Sequence, residues 1–205
     1  MSDHIIRDFA SLEALYGEVN EVSALKEISY LHPHYAAFIK ASPFAILATV
    51  GPYGLDASPR GDPAGFIEIA DDKTLLIADR RGNNRIDSLR NILSDPHVAL
   101  LFLVPGIGET LRVNGTAEIS VDPDLLARFT IKDKAPRSML IVHVDSVFFQ
   151  CSRALIRSEL WNPEQHIPRS ALPSTGEILA AVTDDRIDAE TYDRELPPRL
   201  KATLY

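Results

Sequence analysis

A chain of 205 residues that is 45% hydrophobic and 24% charged has the apolar content of one ordinary soluble domain, with short segments appended. Its formal charge of −8 argues against a general nucleic-acid binder, whose work begins with phosphate neutralisation. A single cysteine, Cys151, excludes an internal disulfide framework, and the longest apolar run, "VALLFLV" at 98–104, is too short to cross a bilayer, so a cytoplasmic protein away from membranes is expected.

Residues 1–31 read as a weakly helical, polar arm; the opening "MSDHIIRDFASLEALYGEV" has early acids and no apolar stretch of a targeting segment. "HPHYAAFIKAS" (32–42) predicts a helix with Pro33 near its start and Tyr35, Phe38 and Ile39 on one face. The period then changes. "FAILATV" (44–50) predicts a strand, closed by the turn "GPYG". "LDASPR" (55–60) alternates, with Leu55, Ala57 and Pro59 on one side and Asp56, Ser58 and Arg60 on the other. "FIEIA" (66–70) and "TLLIA" (74–78) flank a hairpin turn, "DDK".

After "DRRGNNR" comes helical spacing at Ile86, Leu89, Ile92 and Leu93, with Asn83 or Asn84 as the expected N-cap. "VALLFLV" predicts a buried strand and "LRVNGTAEISV" (111–121) a strictly alternating one. "DPDLLARFT" predicts a short helix capped by Asp122. "MLIVHVDSVFF" (139–149) is apolar on both faces and is expected to be central, with His143 as a satisfied core residue. Cys151 is expected to be a small buried hydrophobe. In the Pro-rich, charged segment 162–205, "STGEILAAVT" has a capping box from Ser174 to Glu177 and predicts a helix packing on the barrel or on a partner. The sum is a mainly β, α+β domain over 32–161: six or seven antiparallel strands whose edges closure into a barrel would protect.

Four arginines, Arg80, Arg81, Arg85 and Arg90, crowd a Gly-Asn-Asn turn inside this acidic chain. A helix beginning at Asn84 would aim its free N–H groups into that turn, and Arg85 in its first turn would make a phosphate site. For Arg80, Arg81 and Arg90 the plainer expectation is solvated side chains paired with Asp79 and Asp87. "SPRGDPAG" (58–65) sets Ser58 and Arg60 on one face before a Gly and Pro break, as a strand facing a flat ligand or as an ordinary strand end. Other chemistry lacks its pattern. There is no G-x-G-x-x-G, P-loop or G-x-S-x-G, and the histidines show no metal-ligand spacing; His32 and His34 flank Pro33 and suit surface or cap positions.

Taken in order, "ATVGPYGLDASPRGD", "LLIADRRGNNR", "DSLRNILSDP", "VALLFLV" and "ETLRVNGTAEI" resemble the pyridoxamine 5'-phosphate oxidase-like flavoproteins over about residues 33–161. The resemblance implies a split barrel that forms a homodimer, with flavin mononucleotide (FMN) between subunits. It implies Arg60 and Arg85, with Asn84 beside it, at the FMN phosphate; Ser58, Pro59 and Gly61 along the isoalloxazine; Ala78 and Asp79 at the same ring; and Thr110 at its polar edge. The stretch from Arg85 to "DP" is one helical turn longer than in the typical oxidase. Arg153, Arg157 and Trp161 are spaced i, i+4, i+8; they either cap the barrel or reach the partner's flavin. The end, "PPRLKATLY", lacks the Arg-Leu-His-like substrate signature of true pyridoxamine phosphate oxidases. Two activities follow: an FMN-dependent oxidoreductase acting on a small molecule (a deazaflavin enzyme being its variant), or a flavin- or haem-binding sensor module. No general base stands out, and the flavin itself carries hydride chemistry.

Overall fold

The structure is a computed structural model and describes residues 4–205. Seven antiparallel strands form one sheet in the order β2-β1-β5-β6-β7-β4-β3. They are β1 (Phe44–Gly51), β2 (Gly54–Gly61), β3 (Ile67–Asp71), β4 (Thr74–Asp79), β5 (His97–Leu103), β6 (Thr110–Ser120) and β7 (Ser138–Gln150). Each lies within a residue or two of its expected place. The reason is the period of two: Ala45 and Leu47 on β1, Val98, Leu100 and Phe102 on β5, and Leu111, Val113 and Ala117 on β6 point inward and are buried. β1 and β2 are a hairpin pairing Gly51 with Gly54 and Phe44 with Gly61.

The sheet curls until the end of β2 meets the end of β4, where Arg60 Nη1 lies 3.4 Å from Asp79 Oδ1 and Arg80 Nε 3.4 Å from Asp62 Oδ2. Helix α3 (Pro33–Ala41), with Pro33 in its first turn and His32 Nδ1 accepting from the His34 N–H, buries Ile39 in the core inside that curl. Helix α4 (Asp87–Ser94) packs on β1 over Gly51. A Cβ there would stand 2.1 Å from Asn91 Oδ1, so only glycine lets the helix approach.

Three expectations change. His143 lies on β7 between inward Val142 and Val144, so strand parity turns it outward; it is exposed, 3.8 Å from Glu118. Cys151 follows the end of β7 and is exposed. The arm, read as polar, carries α1 (Phe9–Tyr16) and α2 (Glu21–Leu25), and its large apolar side chains, Phe9, Leu12, Leu15, Tyr16, Val22 and Leu25, all face solvent.

The remaining helices follow their caps. Asp122 accepts from the Asp124 and Leu125 N–H groups at the start of α5 (Pro123–Arg128). Beyond β7 lies α6 (Arg153–Ser158). Ser174 and Glu177 form the expected capping box on α7 (Thr175–Val182), which packs on α8 (Ala189–Ala202) through Gly176. Among the described residues no helix is long and apolar enough to cross a membrane.

Candidate functional site

A cleft of about 510 Å³ opens between the inner side of β2 and the segment that leaves β4. That volume is in the ordinary range for a small-molecule site. β2 supplies Asp56, Ser58 and Arg60 because alternation sends those three to one face, while Leu55 and Ala57 are exposed on the other. The opposite wall is Asp79 through Leu89, with Arg137 and Ser138 from the start of β7. Arg60, Arg80, Arg81, Arg85 and Arg137 line the cleft against Asp56, Asp79 and Asp87, a surplus of two positive charges (5 − 3) in a chain of −8.

The wall is built differently from its expected form. Asn83 does not cap the helix; its Oδ1 accepts the Arg85 N–H at 3.0 Å in a local turn. Asn84 and Ile86 then take left-handed backbone, φ 61° and 52°, and α4 starts only at Asp87. Ile86 is its N-cap and offers no side-chain acceptor, so the first turn of α4, which lines the cleft, has no side-chain cap among the described residues. Arg85 therefore precedes the helix instead of sitting in its first turn. Its side chain is 77% exposed, with Nε 2.8 Å from Asp87 Oδ2, and that pairing holds the guanidinium pKa above its usual value. Arg80 is not solvated either: Nη1 donates to the Phe129 carbonyl at 2.7 Å, and the partner of Asp79 is Arg60. Arg81 and Arg90 are exposed, as expected.

Two features show how the cleft handles polar groups. Ser88 Oγ donates to Asp56 Oδ2 at 2.6 Å, and Ser58 Oγ lies 2.9 Å from Ser88 Oγ. Ser88 has one proton and gives it to the carboxylate, so Ser58 must donate to Ser88. Ser58 then meets a ligand with lone pairs, as an acceptor. At the end of the same strand, Arg60 Nε is buried with no hydrogen-bond partner among the described residues, and its ion pair with Asp79 is long at 3.4 Å. Burial raises the Asp79 pKa, and the Arg60 and Arg137 charges only partly offset this.

Of the residues singled out in the sequence, Ser58, Pro59, Arg60, Asp79, Asn84 and Arg85 meet in this cleft. Gly61 and Ala78 line an adjoining cavity of about 220 Å³ with Arg60 and Arg80. The other four lie elsewhere. Thr110 pairs with Gln150, at the far end of β7 from Ser138, and its Oγ1 donates to Gln150 Oε1 at 3.3 Å. Arg153 and Arg157 are exposed on α6. That helix ends at Ser158, so Trp161 does not continue its face; the indole Nε1 donates to the Ile107 carbonyl at 2.8 Å.

Sequence reasoning did not single out Asp56, Ser88, Arg137 or Tyr205 as site residues. Arg137 Nη1 donates to Asn84 Oδ1 at 2.8 Å and so holds the left-handed turn. Its only local signal is its place just before β7, whose Ser138 pairs with Asp79. Tyr205 reaches in from beyond α8. Its phenol donates to Asp62 Oδ1 at 2.5 Å, which raises the phenol pKa, and its ring lies near Arg80 and Lys132. With Arg80, Arg81, Lys134 and Arg137 it lines a neighbouring cavity of about 310 Å³. Nothing local in the sequence connects residue 205 to residue 62.

A family model described as pyridoxamine 5'-phosphate oxidase matches residues 31–151, well over half of the chain. No curated protein matches. Among solved structures, HupZ of Group A Streptococcus is 24% identical over 57% of this chain and 90% of its own, with a TM-score of 0.46. General stress protein 26 of Bacillus anthracis Sterne is 17% identical over 56% of this chain and 88% of its own, with a TM-score of 0.43. A Clostridium acetobutylicum protein related to general stress protein 26 is 12% identical over 58% and 86%, with a TM-score of 0.45. All three are distant likenesses.

Proposed function

The chain belongs to the pyridoxamine 5'-phosphate oxidase family, and from that premise we propose that it is an FMN-dependent oxidoreductase acting in the cytoplasm as a homodimer on a small molecule other than pyridoxamine 5'-phosphate. The observation that carries the reading is the buried, unpartnered Arg60 Nε facing a cleft with surplus positive charge beside an uncapped helix start. Those donors suit a phosphate monoester. FMN, when bound, supplies the hydride-accepting ring. Arg60 and the α4 first-turn amides hold the phosphate. Arg85 would exchange its exposed Asp87 partner for the phosphate, and Asn84 is kept in place by Arg137. Ser58, fixed as an acceptor by Ser88 and Asp56, would accept a hydrogen bond from the flavin ring, and Pro59, Gly61, Ala78 and Asp79 would hold the ring beside it.

In a single chain this cleft is open on one side. Thr110, Arg153, Arg157 and Trp161 belong to the reading only as residues of the partner subunit's copy of the site, which a two-fold dimer would bring across.

The test is direct. Purified protein should be yellow, or quench added FMN fluorescence, and the flavin band should bleach faster with NADH or NADPH than with pyridoxamine 5'-phosphate under anaerobic mixing. A colourless protein that leaves FMN fluorescence unchanged would falsify flavin binding. FMN binding with no reductant able to bleach it faster than the free flavin would leave a flavin-binding module in place of the enzyme.

A further inference from the structure

The cavity beside the cleft has positive charge that the flavin reading does not use. Arg80, Arg81, Lys134 and Arg137 line it and no carboxylate does, so its lining carries four positive charges in a chain of −8. Arg80 is paired with Asp62, while Arg81, Lys134 and Arg137 form no ion pair among the described residues. Cations gathered with so little counter-charge attract an anion.

Local backbone places Lys134. Lys132 and Asp133 both take left-handed backbone, φ 50° and 60°, and Ile131 and Lys134 exchange backbone hydrogen bonds at 3.1 and 3.0 Å. This is a primed two-residue turn, which fixes the direction in which Lys134 leaves it. Its Nζ donates to the Tyr205 main-chain oxygen at 2.5 Å, an exposed bond that a doubly charged acceptor can replace. Arg137 is held on the other side, with its N–H on the Asp79 carbonyl at 3.3 Å and its Nη1 on Asn84.

The rest of the lining exceeds what a free inorganic ion needs. Ala135, Pro136 and the Tyr205 ring stand beside the cations, and the phenol is tied to Asp62 at 2.5 Å, which fixes that ring. A flat apolar face next to charge suits a phosphate carried by an aromatic base. The cavity of about 310 Å³ shares Arg80, Arg81 and Arg137 with the cleft, so a long ligand can occupy both.

We propose that this cavity binds the adenine end of the electron donor with its 2'-phosphate, so that NADPH is preferred to NADH. This rests on the oxidoreductase reading and goes beyond it by naming the donor and the residues that select it: Arg81 and Lys134 at the phosphate, Tyr205 at the base. NADPH and NADH differ by that phosphate alone. Each passes the same hydride to the flavin and leaves as oxidised nicotinamide, and the reduced flavin takes its second hydrogen as a proton from water. The preference is therefore one of binding.

The experiment uses the full chain. Anaerobic bleaching of the FMN-loaded protein, at donor below saturation, should run roughly tenfold to a hundredfold faster with NADPH than with NADH, the scale of one charge-assisted hydrogen bond. Lys134→Ala and Arg81→Ala should each lose most of that preference as a raised KM for NADPH. Lys134 does not line the cleft, so Lys134→Ala should titrate FMN as wild type does. Calorimetry gives a readout apart from turnover: adenosine 2'-monophosphate should bind far more tightly than adenosine, and Lys134→Ala should erase the difference. Equal rates with the two donors, or a preference that survives both variants, overturns the donor site and leaves the flavin reading standing. A protein that binds no FMN overturns the oxidoreductase reading and the donor with it. The nucleotide site itself then stands or falls on whether Lys134→Ala abolishes binding of adenosine 2'-monophosphate.

Discussion

The barrel and the cleft wall at residues 80–86 are neighbours in the chain and obey different rules. In the barrel, apolar side chains repeat with period two and are buried; Phe102, Leu47 and Leu111 are at or below 1% exposure. In the wall, residues 81–86 are all exposed, two take left-handed backbone, and the contacts are polar and local: Asn83 to Arg85, Arg85 to Asp87, Asn84 to Arg137. The barrel is held by burial, which is cooperative and indifferent to ligands. The wall is held by exchangeable hydrogen bonds and ion pairs, which a ligand can replace. Substitutions in the first should therefore register as stability, and substitutions in the second as affinity.

The largest effect should come from the barrel. Phe102→Ala removes a ring from β5 that is 1% exposed, and the cavity left behind should cost about 3–5 kcal/mol. Chemical denaturation measures it. If the midpoint barely moves, the core is looser than its burial implies and the contrast with the wall collapses.

Arg60→Ala is the matching change on the cleft side. On the proposed function it should remove a charge-assisted hydrogen bond to phosphate, worth on the order of 1.5–3 kcal/mol, or roughly a ten- to hundredfold loss of FMN affinity. Arg81→Ala, an exposed neighbour with no hydrogen bond to a carboxylate among the described residues, should lose much less. Fluorescence titrations that superimpose for the two variants and wild type would mean that the phosphate lies elsewhere.

This contrast also explains what could be read in the sequence. All seven strands were legible because burial on one face imposes a period, and the caps at Asp122 and Ser174 were legible because they are local. The start of α4 was not. An asparagine three residues ahead of a helical pattern can cap the helix or make its own turn, and Asn83 makes the turn, which delays the helix to Asp87. His143 was misjudged on composition, although the alternation Val142, His143, Val144, Asp145 already points it outward. Arg137 has no signal beyond its place just before β7 and Tyr205 has none; tertiary contact brings the first to the cleft and the second to the cavity beside it.

Ile86 sharpens the comparison at a smaller scale. A β-branched residue with φ 52° and ψ 26° carries strain of at least about 1 kcal/mol. Ile86 is 47% exposed, so little burial offsets that strain. Ile86→Asn, which tolerates left-handed backbone, should raise the ligand-free unfolding free energy by about 1 kcal/mol. A fall of that size would show that the Ile86 side chain anchors the wall through contacts that outweigh its backbone cost.

The smallest effect is a pH slope, and it lies where the two regions join. Asp79 ends β4 and begins the wall. Burial lifts its carboxyl above the ordinary value, while Arg60 and Arg137 pull it down without cancelling the burial. The folded protein therefore holds the Asp79 proton more tightly than the unfolded chain does. The stability tied to that proton is complete below the unfolded value near 3.8 and is lost as pH rises through the raised folded value. Asp8, Asp95 and Asp188 have the opposite sign. Hydrogen bonds lower their values, so their contribution is present above the ordinary value and disappears only in stronger acid. The two windows thus separate on the pH axis. Unfolding of the ligand-free protein between about pH 4 and 7 should show stability falling with pH from Asp79, a slope that Asp79→Asn removes. Arg60→Ala should move that slope to higher pH, because it deletes the larger of the two charges holding the carboxylate ionised. FMN binding should act in the same direction, since a phosphate near Arg60 competes for its charge, and calorimetry in buffers of different ionisation enthalpy should then record proton uptake. A pH profile identical in wild type and Asp79→Asn would separate Asp79 from the electrostatics of the cleft and assign it to the barrel alone.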